Sequence, residues 1–459
     1  VKQGRKKPGL LFSNKNRFLP LAFARCPATA RVQMKHCLLT GGVAGRFRAM
    51  PSALHPLHRA WRLLPAAARR SAFTRGTAWL APRPGWPAPP AVHGVAVAGE
   101  ICRASGLGEG ARLMLAGLAA LEIPHRAIDT GSGLPGEPPA DAAIPALPEG
   151  MPLVLHVNAS MLPAALLRLP RSLLRGRRII GYWAWELPVA PTTWGAGPRL
   201  VHEIWTPSRF TADALEPLAP GRVRVVPHPV AAGQIAPSAL QRTDFGLPET
   251  AVIVLVSFSL ASSFARKNPL AAIEAFVRAF GARPDRLLLL KIVNAAHDQS
   301  DLAIIVQAVA GAPNIRIETR TFPPADSHAL TRCCDIVLSL HRSEGFGLVP
   351  AEAMLLSRPV IATGWSATAE FLDAGCGIPV PYRLVPADDP RGVFMAPGAH
   401  WAEADIDAAV AALRALADDP AAREALGRAG QTAARQRLGT AGLEAALRTM
   451  GLAVHDTAA

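Results

Sequence analysis

The first 99 residues of this 459-residue chain contain no aspartate or glutamate. They hold 17 of its 49 lysines and arginines, which leaves 32 basic against 34 acidic residues in the rest, a net of −2. The overall charge of +15 therefore belongs to the start of the chain. A near-neutral body gives no footing for nucleic-acid binding by the folded part, and no nucleic-acid partner is expected. Cysteines are few: Cys26, Cys37, Cys102, Cys333, Cys334 and Cys376 show no C-x-x-C spacing. Adjacent Cys333 and Cys334 do not easily bridge, so neither a zinc site nor a disulfide framework is indicated and a reducing compartment is expected. Long apolar runs are missing as well. Half of the residues are hydrophobic, yet none of the uninterrupted runs reaches the ~18 residues that a membrane span needs. The expectation is a cytoplasmic protein, soluble or peripheral at the inner face of the membrane, with two domains plus extras.

Residues 1–92 read as a basic leader. Phe18 to Ala24 is a short apolar patch at the lower limit for a signal-peptide core, and Arg25-Cys26 follows directly. The chain starts with Val, so Met50 is an alternative start within an over-extended frame. From Leu54 to Leu80, alternating Leu, Trp and Arg allow one or two basic amphipathic helices. Two readings stand: a solvated extension, or a membrane-surface anchor drawn to anionic headgroups.

Residues 93–230 open as β-loop-α-β: a strand over His93–Ala98, a loop with Gly106, Gly108 and Gly110, a helix over Ala111–Leu121 and a strand over His125–Asp129. The loop matches G-x-G-x-x-A, and Asp129 lies about 20 residues on, so dinucleotide binding competes. Against it, about seven residues separate strand and first glycine, where that fingerprint needs a tight turn. The other readings are glycines serving only a turn, and backbone amides cradling a sugar or phosphate with Arg112 nearby. Strands are also expected at Leu153–Val157, Arg178–Tyr182, Glu203–Thr206 and Val223–Pro227. Trp183-Ala184-Trp185-Glu186 is either core or a cleft loop in which indoles stack on a sugar and Glu186 accepts from a hydroxyl. His156, at a strand end, is either a base or a structural histidine. Residues 231–248 read as linker.

Residues 249–400 alternate strand and helix more cleanly, which predicts a doubly wound parallel sheet with ligands at the carboxyl ends of its strands. Two features fall at such ends. Arg266 and Lys267 follow the strand Ala251–Phe258, and a fork beside a point charge suits a diphosphate. His341-Arg342-Ser343-Glu344-Gly345-Phe346-Gly347-Leu348-Val349-Pro350-Ala351-Glu352 follows the strand Ile336–Leu340. Pro350 fits a first helical turn, which leaves the amides of Gly345, Phe346, Gly347 and Leu348 free to hold an anion. Glu344 can then reach a sugar hydroxyl, and Glu352, expected on the first helical turn, a ribose diol. Residues 401–459 read as packing helices and a tail.

The run Glu344-Gly345-Phe346-Gly347 through Glu352-Ala353-Met354 resembles the E-x7-E signature of retaining glycosyltransferases of family 4. Arg266-Lys267-Asn268-Pro269 resembles their basic donor-phosphate motif, and Gly106-Leu107-Gly108-Glu109 their N-terminal glycine loop. The resemblance implies a GT-B fold, with two Rossmann-like domains facing across a cleft and C-terminal packing helices. It also implies transfer of a hexose from a nucleoside-diphosphate sugar to a polysaccharide or lipid-linked glycan acceptor, with retention and without a metal or other cofactor. By carry-over, Lys267 and Arg266 stabilise the leaving diphosphate, Glu344 contacts the donor sugar, Glu352 the ribose, and Gly106 and Gly108 lie across from the phosphates. Two departures stand out. Phe258-Ser259-Leu260 occupies the place where many relatives carry an Arg, and the 183–186 loop lacks their His, a role that Glu186 or a backbone group would take. They suggest a divergent polysaccharide-type branch. Two further readings stay open: hydrolysis by the glutamate pair, which needs carboxyls about 5 Å apart, and an inactive nucleotide-sugar-binding or scaffold protein.

Overall fold

Strand β1, Val95–Gly99, is buried along its whole length, the pattern of a strand covered on both faces. It sits inside a parallel sheet with β2 (His125–Asp129), β3 (Leu153–His156), β4 (Ile179–Tyr182), β5 (Glu203–Thr206) and β6 (Val223–Val225), in the order β2-β1-β3-β4-β5-β6. This computed structural model describes residues 63, 65–131, 146–233, 235–394 and 396–454. The apolar patch at 18–24, Met50, Cys26 and Cys37 lie outside them.

A second parallel sheet has the order β12-β11-β10-β7-β8-β9. Its strands are β7 (Val252–Ser259), β8 (Arg286–Val293), β9 (Ile315–Glu318), β10 (Ile336–Ser339), β11 (Val360–Thr363) and β12 (Ile378–Val380). The β-branched and leucine-rich runs of β7 and β8 pair along eight residues, from Val252 with Arg286 to Ser259 with Val293. Helix Pro269–Phe280 covers one face through Ala272, Ile273 and Phe276, and helix Leu348–Leu355 covers the other through Ala351 and Met354. The expected architecture of two doubly wound α/β domains is the observed one. Among the described residues, no helix is long and apolar enough to cross a membrane.

Three features differ from the sequence reading. Residues 66–80 form a helix that packs on helix Leu162–Arg168, while Ala81 and Ala91 lie in the core of the first domain. The expected boundary at residue 92 thus falls inside ordered structure. An antiparallel hairpin of β13 (Tyr382–Pro386) and β14 (His400–Ala404) spans the expected boundary at 400. Trp401, Phe394 and Ala399 of this segment pack with Trp183, Trp185 and Leu187 of the first domain. Finally, helix Ala441–Thr449 sends Leu443, Ala446 and Leu447 back into the first domain's core beside Met114 and Leu118.

Candidate functional site

The glycine run is not a loop. Ser105 caps helix Gly106–Ala120 by accepting from the Gly108 amide, so Gly106, Gly108 and Gly110 form its first turns. Two of the three glycines are fixed by crowding. A Cβ on Gly108 would lie 2.4 Å from the Glu100 carbonyl oxygen, and one on Gly110 would lie 2.4 Å from the His228 ring; Gly106 is open on that side. Arg112 is not a free cation here. It donates to the carbonyls of Ile101 (2.6 Å) and Arg103 (2.9 Å) and pairs with Glu109. Asp129 accepts from the Gly131 amide, a turn bond, and six residues part β1 from the first glycine, so the tight dinucleotide turn is absent.

The carboxyl end of the second sheet carries an ion cluster. Strand β7 ends at Ser259, and Ser263 caps the short turn Phe264–Lys267 that presents Arg266 and Lys267. Arg266 reaches Glu344 at 3.1 Å, Glu186 at 3.6 Å, the Ser343 carbonyl at 2.6 Å and the Ser262 hydroxyl at 2.6 Å, and lies over the Phe394 ring. Its side chain is 2 % exposed, whereas that of Lys267 is 20 % exposed and, among the described residues, bonds Glu344 alone, at 2.5 Å. The two cations therefore differ in kind: Arg266 fastens the cluster, and Lys267 keeps donors available.

The glutamates differ too. Burial alone would raise the Glu344 carboxyl, but Lys267 and Arg266 outweigh it and bring it down to about 2. Glu186 moves up, because burial and the nearby Glu344 together exceed the pull of Arg266 and Lys267. Glu352 is pushed up to about 8 by burial and by Glu109, against a smaller pull from Arg112. Both of those groups belong to the first domain, so Glu352 looks across to helix Gly106–Ala120. It stands in the second turn, not the first, because the helix begins at Leu348. The two glutamates face different partners: Glu344 meets Lys267 and Arg266, and Glu352 feels Glu109 and Arg112.

The glycines between them are held by the first domain and by strand ends. The Gly345 carbonyl accepts from Ser208 (2.8 Å), and its Cα packs against Trp185. Gly347 has φ +103, and a Cβ there would lie 2.6 Å from Thr368 Oγ1. Among the described residues, that hydroxyl is buried without a partner. The Phe346 side chain belongs to the core, against Phe371 and His228, so only its backbone can face a ligand. The Ser343 hydroxyl donates to the Glu186 carbonyl, and Glu370 accepts from the Arg209 and Phe210 amides at 2.9 and 2.7 Å. The loop 183–186 thus lies directly on the Glu344 loop. Its indoles are core: Trp183 is fully buried and Trp185 stacks on Phe394.

Two residues escaped the sequence reading. His228, just after the expected strand Val223–Pro227, lies between Gly110, Phe346 and the Tyr182 hydroxyl, and burial brings its imidazole down to about 3. Arg391 donates to the carbonyls of Leu260 and Ser262 and pairs with Asp298 at 3.0 Å, which anchors the loop after β7. His156 is a packing residue, buried against Met114 and stacked on Tyr182. Among the described residues, no group of acidic, His and Cys side chains is arranged to hold a metal.

A D-inositol 3-phosphate glycosyltransferase of Kineococcus radiotolerans is 32% identical over 231 residues, which cover 45% of this chain and 46% of that protein. The chain spans about half the length of the curated relatives it matches. Sucrose-phosphate synthase from Thermosynechococcus elongatus has a similar structure, with a TM-score of 0.55 and 16% identity over 78% of this chain and 99% of that one. HepE from Anabaena, solved with UDP and glucose, gives 0.54 and 14% over 78% and 100%. These structural likenesses show the GT-B fold. Residues 193–440 match the model of family 4 glycosyltransferases in conflict systems; that is more than half of the chain, and the chain belongs to this family.

Proposed function

We propose that the protein transfers a hexose from a nucleoside-diphosphate sugar to a glycan acceptor, polysaccharide or lipid-linked, with retention of configuration and without a metal. The observation that carries this reading is the buried cluster of Lys267, Arg266, Glu344 and Glu186 at the strand ends of the second sheet, facing the first domain. A diphosphate would replace Glu344 on Lys267, leaving Glu344 free to accept from a donor-sugar hydroxyl. Arg266 would keep the loop in place through Ser343 and Ser262. In the transfer, the bond from the anomeric carbon to the diphosphate oxygen breaks, and its electron pair leaves with the diphosphate. The acceptor oxygen bonds the same carbon, and its proton passes to the departing phosphate. Catalysis would rest on positioning and on stabilising the departing charge. Glu352, near the first domain's helix, would accept from the ribose. That HepE was solved with UDP and glucose supports the nucleotide-sugar class.

An inactive nucleotide-sugar-binding protein is the second reading. It is favoured by two observations: Glu344 occupies Lys267 in this arrangement, and the loop 183–186 offers Glu186 where a histidine is common. A thermal-shift screen of the full chain against nucleoside-diphosphate sugars, followed by turnover on glycan acceptors, separates the two. The expected result is a stabilising donor and a product that keeps its anomeric configuration. No stabilisation by any donor, or release of sugar from a glycan without nucleotide, would refute the transferase.

A further inference from the structure

The first domain has a second concave surface at the other end of its sheet. Pro82–Pro89 lead into β1, and Arg171–Arg177 lead into β4, so this surface lies at the amino ends of the strands. The cavity there has a volume of about 440 Å³ and is lined by Arg83, Trp86, Arg171, Arg175 and Arg177 together with several prolines. Arg177 is its floor, buried and donating to the carbonyls of Leu147 (3.0 Å) and Met151 (3.2 Å). Arg83, Arg171 and Arg175 are exposed, and among the described residues their guanidinium groups have no partner.

The rim is apolar. Trp86 is 60 % exposed and held outward by the Arg222 guanidinium and the His202 ring. Trp79 and Leu80 are 79 % and 56 % exposed at the end of the helix that runs into Pro82, and Leu167, on the helix packed against it, is 40 % exposed. Neither residues 66–92 nor residues 150–185 contain an aspartate or glutamate. Glu149 lies by Arg177, and Glu203 is paired to Arg178 at 3.2 Å.

We propose that this face docks the protein on an anionic phospholipid surface, with a headgroup phosphate in the arginine groove and Trp79, Leu80, Trp86 and Leu167 entering the interfacial layer. Arginines supply attraction to the headgroups, and tryptophans settle at the interface. Aliphatic Leu80 and Leu167 favour lipid over a nucleic-acid strand, which would gain nothing from them. Strand β4 separates Arg171–Arg177, at its amino end, from the loop 183–186 at its carboxyl end, which touches the Glu344 loop; four residues of strand span roughly 13 Å. Docking and transfer are therefore separable, and one can fail without the other.

The test is sedimentation of the full chain with vesicles of phosphatidylglycerol and phosphatidylcholine, and with phosphatidylcholine alone. The wild type should sediment with the first and not the second. Combining Arg83→Ala, Arg171→Ala and Arg175→Ala should weaken binding about a hundredfold, at roughly fivefold per arginine. The matching Arg→Lys triple variant should retain most of it, and both should keep the wild-type melting temperature and turnover on a soluble acceptor. Equal sedimentation of wild type and Ala variant would overturn the proposal. So would a wild type that binds a single-stranded oligonucleotide through the same arginines but not anionic vesicles.

Discussion

Replacing Glu344 by glutamine should weaken the fold and transfer while strengthening the grip on a free nucleoside diphosphate. Glu344 titrates at about 2, against an ordinary 4.5. That gap corresponds to about 3 kcal/mol of stability. The cost of breaking a buried ion pair, about 3–5 kcal/mol, points to the same range. The lower end applies, because Arg266 keeps Glu186, the Ser343 carbonyl and the Ser262 hydroxyl. In a domain of this size about 3 kcal/mol lowers the melting temperature by roughly 6 °C. The folded pKa is depressed, so this stability is complete above the unfolded value and is lost as pH falls from 4.5 toward about 2. The deficit of the variant should accordingly shrink in that window. At neutral pH the variant no longer has an anion competing for Lys267. If half of the pairing free energy no longer opposes binding, UDP or a related diphosphate binds about tenfold tighter. Turnover should fall at least about thirtyfold, the equivalent of losing about 2 kcal/mol of transition-state stabilisation. Calorimetry and steady-state kinetics measure the two effects. Parallel weakening of both, or unchanged turnover, would refute the role assigned to the cluster.

Lys267→Ala should lose both diphosphate affinity and turnover, the latter by about 2 kcal/mol or more. It should also cost stability, since Lys267 is the larger of the two charges that hold Glu344 down; an unchanged affinity would remove it from the site. Glu352→Gln should matter most at high pH. Its carboxyl is raised to about 8, so the wild type loses stability as pH rises from about 4.5 to 8 and the variant does not. The gap between 4.5 and 8 corresponds to about 5 kcal/mol, so melting curves should show the variant roughly 10 °C higher at pH 8.5 and nearly level at pH 5. Gly347→Ala puts a Cβ into Thr368 at a backbone angle that alanine resists. It should destabilise by at least about 1–2 kcal/mol and abolish donor stabilisation in a thermal shift.

Much of the framework was legible because strands buried on both faces read as apolar runs: Val95–Gly99 and Val252–Ser259 lie within two residues of the expected His93–Ala98 and Ala251–Phe258, and the less buried His125–Asp129 and Glu203–Thr206 have the bounds expected. The second-domain motif was legible because it is local. Arg266 and Lys267 are neighbours, and Glu344 follows directly on a strand. What failed was non-local or ambiguous. Glycine usually marks a turn, so Gly106–Gly110 read as a loop; the cap at Ser105 was the signal that a helix had begun. The hairpin of β13 and β14 stayed invisible because Tyr382–Pro386 is short and exposed and its partner lies 14 residues beyond Pro386, at His400. His228 could not be found at all. Nothing beside it in the chain announces Gly110, Phe346 or Tyr182, which only the fold brings to it.

Helix Ala441–Thr449, whose Leu443 and Leu447 complete the core beside Met114 and Leu118, has a consequence for synthesis. On the ribosome, domains usually finish in the order in which they emerge. Here the earlier domain must wait with an open apolar flank until residues some three hundred positions later arrive, while the second sheet has all its strands in hand by Val380. The second sheet can therefore be finished first, and the interval before residue 450 is when the nascent chain is most exposed to aggregation and most dependent on chaperones.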